Sequence, residues 1–123
     1  MSQANKAEIV RKLFDAYRAR QRSVIEELLA DDFTFTSPYD DAIDKKTYFE
    51  RCWPNHDRIR EHDIERIFEQ GEAAFVTYRM VTKKGDEFRN TEFFRFAGDR
   101  LKSVDVYFGA SYRDGVFQKQ KES

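Results

Sequence analysis

The sequence of 123 residues lacks the features that define several classes of protein. Its one cysteine, Cys52, excludes an internal disulfide and is too few for a structural zinc site. The 22 basic residues nearly balance the 23 acidic ones, so the net charge of -1 gives none of the positive field of a nucleic-acid-binding protein. No apolar run approaches the roughly 20 residues of a membrane-spanning helix, and the amino terminus lacks the apolar stretch of a signal peptide. We therefore expect a cytoplasmic protein without nucleic-acid or membrane partners.

Charged and aromatic side chains are both abundant. Charged residues make up 37% of the chain and the mean hydropathy is -0.83, a composition that by itself is typical of disorder. The 12 phenylalanines, within an aromatic content of 15%, supply large apolar groups for a core. A chain of this length can bury one such core. We expect a single domain over residues 1–123, with an aromatic core and a well-solvated surface.

Helical signals are concentrated in the first half of the chain. Apolar residues recur at helical spacing over residues 6–20, which predicts an amphipathic first helix. The segment Ser23–Glu26 fits a capping box that starts a short second helix. Asp44 can cap a third helix, and Pro54 ends it. All three helices precede most of the strands.

Alternation of apolar and polar residues predicts strands in the rest of the chain. Lys84–Asp86 and Ala97–Asp99 have the composition of hairpin turns between strands. The strands predicted from this pattern span residues 33–37, 57–70, 73–83, 88–96 and 101–109. Three helices followed by a strand meander, with no linker between them, predict an α+β architecture in which the helices pack on one face of a curved, antiparallel sheet.

The end of the first predicted strand points to a pocket. This apolar strand delivers Ser37 and the nearby carboxylates of Asp40, Asp41 and Asp44 to one place. A carboxylate such as that of Asp40 could act as a base at the mouth of the pocket, although a turn (Asp40, Asp41) and a helix cap (Asp44) explain these acids better. Three acids without a matching histidine make a poor transition-metal set, and the spacing does not fit a calcium loop. No metal is expected.

His56 and Ser37 are further candidates. His56 follows the third predicted helix, and the pKa of a histidine suits proton transfer at neutral pH. The alternative is a solvated loop histidine. Ser37 lacks the Gly-x-Ser-x-Gly surroundings of a nucleophilic serine, so we expect it to donate a hydrogen bond to a ligand or to the backbone.

Several segments resemble the superfamily that contains nuclear transport factor two-like proteins, SnoaL-like polyketide cyclases and ketosteroid isomerases. The order of helices and strands also matches over essentially the whole chain. The matching segments are Glu27–Phe33, Ser37–Pro38, Glu72–Phe75, Glu92–Phe96 and Val106–Gly109. The resemblance implies a cone-shaped α+β fold with a strongly curved, mainly antiparallel sheet and a small-molecule pocket, a homodimer that associates through the sheet, and no cofactor. Because this superfamily hosts many activities, the fold alone implies no reaction.

Ketosteroid isomerases use an aspartate before the proline of strand one as base, with a tyrosine of the first helix and a protonated aspartate as the oxyanion hole. In this sequence Ser37 occupies the position of the base. Tyr17 lies one helical turn beyond the position of the catalytic tyrosine, which falls near Leu13. Glu92 stands where the protonated acid would be. The resemblance therefore implies that Glu92 takes the role of the protonated acid. At the position of the base, Ser37 stands where those enzymes have an aspartate.

Glu92 has two interpretations. An apolar surround would raise its pKa, so that it could donate a proton or a hydrogen bond near neutral pH. Alternatively, Glu92 pairs with Arg79 on the neighbouring strand, which is a common cross-strand ion pair. The odd-numbered and the even-numbered positions of the strand that carries Arg79 are both mostly apolar. The sequence therefore leaves open which face of the sheet Arg79 occupies.

Two functions remain open. One is a cofactor-independent isomerase, cyclase or dehydratase that acts by proton transfer, with Glu92, Asp40 and His56 as catalytic candidates. The other is a noncatalytic ligand-binding or dimerisation module. In either case the expected ligand is small, flat and largely apolar. The predicted ligand-binding residues are Tyr17, Phe35, Ser37, Trp53, Arg79, Phe94 and Phe108. Phe93, Tyr107 and Tyr112, on the opposite face of the sheet, are predicted to form a homodimer interface.

Overall fold

The structure, a computed structural model, describes residues 5–119. Three α-helices and a short 3-10 helix lie in the first half of the chain. They are α1 (Lys6–Arg18), α2 (Arg22–Leu28), α3 (Lys45–Arg51) and the 3-10 helix Trp53–Arg58. The strands are β1 (Leu29–Ser37), β2 (Asp40–Asp44), β3 (Ile59–Gln70), β4 (Ala73–Thr82), β5 (Asp86–Ala97), β6 (Arg100–Arg113) and β7 (Val116–Gln118).

The helix caps explain where the helices begin. Asn5 accepts a hydrogen bond from the backbone N–H of Glu8 and caps α1. Asp44 caps α3 as predicted, because its carboxylate accepts from the N–H of Thr47 at 2.8 Å. The capping box predicted at Ser23–Glu26 is wrong: α2 begins at Arg22, and Glu26 instead accepts from the side chain of Arg22 at 2.8 Å.

The strands form one seven-stranded sheet in the order β2-β1-β6-β5-β4-β3, with β7 paired to β6. All pairs are antiparallel except β1 with β6. The sheet is mostly antiparallel and curls around the helices without closing, so the predicted α+β fold is confirmed. β2 and β7 were not predicted, and Asp40 lies at the start of β2 rather than in the turn.

One face of the sheet, called the inner face below, packs against the helices. On β4 it carries Ala74, Val76 and Tyr78, all of which are buried. Directly opposite residues of neighbouring strands share a face, so the pairing of Val76 with Glu92 places Glu92 on the inner face too. The core between this face and the helices includes the fully buried side chains of Val10, Ile25, Leu29, Phe33, Val76, Phe94 and Leu101.

Three hydrogen bonds from two side chains hold α3 in place. Lys45 donates to the backbone carbonyls of Glu26 at 2.8 Å and Leu29 at 3.1 Å, which ties the start of α3 to the end of α2. The hydroxyl of Tyr17 on α1 donates to the carbonyl of Cys52 at 2.9 Å, just after α3 ends. These bonds satisfy carbonyls at helix ends that have no partner within their own helix. In the part of the chain that the structure describes, no helix is long and apolar enough to cross a membrane.

Gly109 lies where β6 approaches β5 most closely. A β-carbon at position 109 would overlap the backbone carbonyl of Arg89, which is the residue at a bulge between Phe88 and Asn90. Neither strand can move away freely because β5 and β6 are paired along most of their length. Because the two backbones lie so close together, only glycine, which has a hydrogen atom in place of the β-carbon, fits at position 109.

We predict that Gly109→Ala lowers the free energy of unfolding by about 1–3 kcal/mol, because the added methyl group forces the paired strands apart. Chemical denaturation followed by circular dichroism measures the change. Lys102→Ala, at an exposed position of the same strand, is the control and should change the free energy of unfolding by less than about 0.5 kcal/mol. Equal stability of Gly109→Ala and the native protein would contradict the close approach.

Candidate functional site

Glu92 lies at the centre of a group of polar side chains on the inner face. It is half-buried on β5, opposite Val76 of β4 and Val106 of β6, both of which are buried. Phe94, two residues further along the same strand, is fully buried behind it. Burial raises the pKa of the Glu92 carboxyl from 4.5 to about 7, and a hydrogen bond from Tyr78 partly opposes this rise. Near neutral pH both the protonated and the ionised form of Glu92 are therefore populated.

Three tyrosines from three different elements surround this carboxyl. Tyr17 comes from α1, Tyr48 from α3 and Tyr78 from β4. Burial raises the pKa of each phenol, and the negative charge of Glu92 raises it further. All three phenols therefore stay protonated well above neutral pH. Neutral phenols are hydrogen-bond donors of the kind that stabilise an oxyanion.

Tyr78 is held in position by Asn90. The two residues face each other across β4 and β5, and the side-chain amide of Asn90 donates to the Tyr78 hydroxyl oxygen at 3.1 Å. Both side chains are buried. Because the amide occupies one lone pair of the hydroxyl oxygen, the hydroxyl hydrogen can point to the carboxyl of Glu92, with which Tyr78 forms a hydrogen bond.

Cys52 lies close enough to feel the charges of both Glu92 and Asp40. Burial, followed by Asp40, raises the pKa of the Cys52 thiol to about 11. The nearby Arg51 lowers this pKa only in part. A thiol with such a pKa is protonated at neutral pH, so Cys52 has the character of a small apolar group rather than of a nucleophile.

Asp40 and Ser37 meet at the end of β1. The Ser37 hydroxyl lies 3.3 Å from one carboxylate oxygen of Asp40, to which it donates, and it accepts from the backbone N–H of Tyr39 at 3.1 Å. The other carboxylate oxygen of Asp40 lies 2.8 Å from a guanidinium nitrogen of Arg51. The Asp40 side chain is only 8% exposed. Its charge is thus compensated by Arg51 at the end of α3.

His56 stands on the other side of Tyr17. In the 3-10 helix its ring packs against Trp53 with centroids 4.5 Å apart, and it meets the Tyr17 ring edge-on at 6.3 Å. Tyr17 also packs edge-on against Trp53 at 5.5 Å. The Nδ1 atom of His56 lies 3.2 Å from a carboxylate oxygen of Asp57. His56, Trp53 and Tyr17 therefore form one contiguous group.

The remaining aromatic candidates differ in how deeply their side chains are buried. Phe35 packs against Tyr48 at 5.2 Å and is half-buried. Phe94 is fully buried and forms part of the core. Phe108 is 45% exposed and packs against Tyr39 at 5.6 Å, at the open end of β6. Phe35 and Phe108 thus lie nearer the surface than Phe94.

The structure corrects the placement of Arg79. Its neighbour Tyr78 points inward, so Arg79 points to the opposite face of the sheet, called the outer face. There its guanidinium pairs with Glu87 and lies 3.2 Å from both Glu61 and Asp63. Arg79 contacts neither Glu92 nor the group around it. The predicted ion pair between Arg79 and Glu92 does not form.

Sequence reasoning did not single out Tyr48, Tyr78 or Asn90 as site residues. Tyr48 falls within the third predicted helix, where an aromatic residue is an ordinary member of the apolar side. Tyr78 and Asn90 become neighbours only through the register of β4 and β5, which the apolar alternation of β4 leaves open. Asn90 within a predicted strand, where asparagine is uncommon, is a local signal that could have marked this position but not its partners.

We predict that Glu92→Gln changes how the free energy of unfolding depends on pH. Below about pH 4.5 the carboxyl is protonated in both states, whereas between 4.5 and about 7 only the unfolded chain has released the proton. The free energy of unfolding of the native protein therefore falls across this window relative to Glu92→Gln, by up to about 3 kcal/mol, and the difference stays constant at higher pH. Urea denaturation at a series of pH values measures it.

Glu65→Gln is the matched control for this experiment. Glu65 lies on the outer face of β3, where two hydrogen bonds from Arg89 lower the pKa of its carboxyl. Its stabilising effect is present above about pH 4.5 and is lost as the pH falls below that value. Glu65→Gln should therefore run parallel to the native protein between pH 4.5 and 7. Parallel curves for Glu92→Gln in that window would contradict a raised pKa.

Comparisons with other proteins agree with this fold. Among solved structures, an NTF2-like protein of unknown function from Cytophaga hutchinsonii has a TM-score of 0.71 at 17% identity, covering 87% of this chain and 92% of its own. One from Burkholderia pseudomallei has a TM-score of 0.64 at 23% identity, covering 86% and 92%. A protein with a ketosteroid isomerase-like fold from Catenulispora acidiphila, in complex with trimethylamine, has a TM-score of 0.68 at 16% identity, covering 85% and 88%.

These structures share the fold of this chain at low sequence identity. A comparison with curated proteins found no match. The model of the SnoaL-like domain family matches residues 10–104, which include the whole of β3, β4 and β5 and the residues around Glu92. The chain therefore belongs to the SnoaL-like domain family.

Proposed function

We propose that the chain binds a small, flat, largely apolar carbonyl compound beside Glu92 and moves a proton on it without a cofactor, as an isomerase, cyclase or dehydratase. The observation that supports this proposal is the state of Glu92. Its carboxyl is half-buried, hydrogen-bonded to Tyr78, and has a pKa of about 7. A group with this pKa can accept and return a proton at neutral pH, which is the requirement for general acid–base catalysis.

The phenols around Glu92 suit the second requirement of such a reaction. Removing a proton next to a carbonyl places negative charge on the carbonyl oxygen, and fixed neutral donors stabilise that charge. Tyr48 approaches from α3, on the side opposite the sheet, and suits this role. Tyr17 of α1 does so only when its hydroxyl leaves the carbonyl of Cys52, to which it donates. Phe35 and Trp53 pack against these tyrosines and supply apolar surface for the rest of the ligand.

His56 and Asp40 compete for the role of a second proton carrier. Asp40 is engaged by Arg51 and accepts a hydrogen bond from Ser37, so its carboxylate is held away from a ligand beside Glu92. His56 has a carboxylate beside Nδ1 and packs against Tyr17, which in turn feels the charge of Glu92. The buried Nδ1 atom of His56 makes no hydrogen bond to that carboxylate or to another group of the described residues, so it is free to take part in proton transfer. We therefore favour His56 as the second carrier.

We predict that Glu92→Gln abolishes most proton exchange on a bound ligand. Thermal-shift measurements against flat aromatic, steroid-like and polyketide-like ketones first identify compounds that stabilise the native protein. Exchange of the hydrogens next to the carbonyl is then followed by NMR in deuterated water. Glu92→Gln should slow this exchange by about 10²–10⁴-fold, because general acid–base catalysis contributes that much. Glu65→Gln, on the outer face, should leave the rate unchanged within about twofold.

A noncatalytic ligand-binding module is the second candidate. Ser37 stands where related isomerases carry their base, and Asp40 beside it is already engaged by Arg51. The Catenulispora neighbour holds trimethylamine, so a small molecule binds to at least one protein of this fold. Ligands that stabilise the native protein and Glu92→Gln equally, with no exchange of hydrogens above the rate in buffer, would favour this second function and contradict the first.

We also propose that the chain forms a homodimer through the outer face of the sheet. Phe68, Phe75 and Phe93 lie in one row across β3, β4 and β5. On β6, Asp105 stands opposite Phe93, and Tyr107 lies diagonal to it on the same face. We call these four residues the outer aromatic stripe. Phe68 is 69% exposed, Phe75 49% and Tyr107 57%. A contiguous exposed aromatic surface of this kind is typical of a protein interface, and a twofold dimer would cover it with a second copy.

We predict that Phe75→Asp converts a dimer into a monomer, because a charge would be buried at the centre of the stripe. Analytical ultracentrifugation measures the mass, and circular dichroism verifies that the sheet is intact. Tyr39→Asp, at a position that is 76% exposed in the turn after β1, should leave the dimer unchanged. A native protein that sediments as a monomer would contradict the proposed dimer.

A further inference from the structure

An open cleft of about 220 Å³ lies between α1 and β3. Its walls are Arg11, Phe14, Asp15 and Arg18 from α1 and the segment His62–Ile64 from β3. None of these residues belongs to the group around Glu92. The volume is below that of pockets for drug-sized ligands, and it suits a molecule with a single ring.

An aromatic wall separates the cleft from Glu92. Phe14 stacks on His62 with ring centroids 4.7 Å apart, and both rings pack edge-on against Tyr78, at 5.0 Å and 5.2 Å. The cleft lies beside Phe14 and His62, whereas the hydroxyl of Tyr78 contacts Asn90 and Glu92. The cleft is therefore a separate place that shares one ring with the candidate active site.

The cleft brings two arginines and two aspartates together. Arg11, Asp15 and Arg18 recur at a spacing of four and three residues, so they line one side of α1. Asp63 lies on β3, 3.2 Å from Arg79, a guanidinium that also pairs with Glu61 and Glu87. The two cations of the cleft are therefore on α1. The ion pairs formed among residues 5–119 involve neither Arg11 nor Arg18.

His62 adds an unsatisfied polar group. Its Nε2 atom is buried and has no hydrogen-bond partner among the described residues. Burial, followed by the charge of Arg18, lowers the pKa of His62 to about 4, while Asp63 and Asp15 act in the opposite direction. The imidazole is therefore neutral at pH 7. A buried nitrogen without a partner has a free-energy cost that a rearranged, ligand-bound cleft could relieve.

We propose that this cleft binds a small aromatic carboxylate, with its ring against Phe14 and its carboxylate between Arg18 and Arg11 beside His62. A guanidinium binds a planar carboxylate through two parallel hydrogen bonds. Phe14 and Ile64 supply the apolar surface for the ring. Asp15 opposes anions of higher charge such as phosphate, since it lies between the two arginines in the sequence of α1.

Binding of a carboxylate there makes the affinity depend on pH. The charged groups that face His62 are Arg11, Asp15 and Arg18 from α1 and Asp63 from β3, and Tyr78 contributes a neutral phenol from β4. An added anion offsets Arg18 and favours the imidazolium form of His62. By linkage, the carboxylate then binds more tightly as the pH falls. A rise of about two pKa units in His62 makes binding about tenfold tighter near pH 5 than near pH 8.

The experiment uses benzoate as the probe, with NMR titrations of the His62 ring signals and calorimetry at about pH 5 and pH 8. Arg18→Gln should weaken benzoate binding about tenfold, the loss expected for a charge-assisted hydrogen bond. Arg60→Gln, which removes an exposed positive charge from the same strand, is the control and should change the affinity less than about twofold. His62→Phe keeps an aromatic ring against Phe14 and should retain binding without the dependence on pH.

Three outcomes would overturn the proposal. One is no saturable shift of the His62 signals at concentrations up to about 50 mM benzoate, which exceeds the dissociation constants of even weak specific binding. Another is an equal loss of affinity in Arg18→Gln and Arg60→Gln, which would indicate a general effect of charge. The third is binding that Glu92→Gln abolishes and Arg18→Gln leaves intact, because that result would place benzoate beside Glu92. We expect Glu92→Gln to bind benzoate as tightly as the native protein. A failure of this proposal can therefore be distinguished from a failure of the proposed proton transfer at Glu92.

Discussion

The pairing of β4 with β5 determines where every polar group of the inner face lies. Val76 stands opposite Glu92 and Tyr78 stands opposite Asn90, so a carboxyl, a phenol and an amide share one face with the core. A shift of this register by one residue would exchange them for Arg79 and its charged neighbours. The close approach at Gly109 and the bulge at Arg89 lie between β5 and β6 and help to fix the register of that neighbouring pair. The raised pKa of Glu92 is thus a consequence of strand pairing.

The fold could be predicted from the sequence because its signals are local. Helical spacing, the Asp44 cap and strand alternation are read within a few residues. Glu92 was found through the resemblance of its strand. The sequence leaves open which face of the sheet Arg79 occupies because both faces of β4 are mostly apolar, and only the ion pairs with Glu61, Asp63 and Glu87 distinguish them. The contacts of Tyr78 with Asn90 and Glu92 join separate strands, so no local pattern encodes them.

Glu92 and His62 affect stability in opposite directions with pH. The raised pKa of Glu92 makes folding less favourable as the pH rises from 4.5 to about 7. The lowered pKa of His62 makes folding more favourable as the pH rises from about 4 to 6.5. In this range the folded chain has already released the proton of His62 and only the unfolded chain still binds it, so a falling proton concentration disfavours unfolding. The two effects largely cancel in the overlapping range. A flat stability profile of the native protein would therefore conceal two strongly perturbed groups.

Tyr78 takes part in two places at once. The faces and edges of its ring contact Phe14 and His62 beside the cleft, and its hydroxyl contacts Asn90 and Glu92. A phenol is a rigid plane, so displacement of the ring by His62 necessarily displaces the hydroxyl. A substitution of Tyr78 consequently affects one of two sets of contacts. A residue that keeps the aromatic packing but lacks the hydroxyl removes the hydrogen bond to Glu92, whereas a smaller polar residue removes the packing against Phe14 and His62. The choice of residue at position 78 therefore affects both regions of the protein.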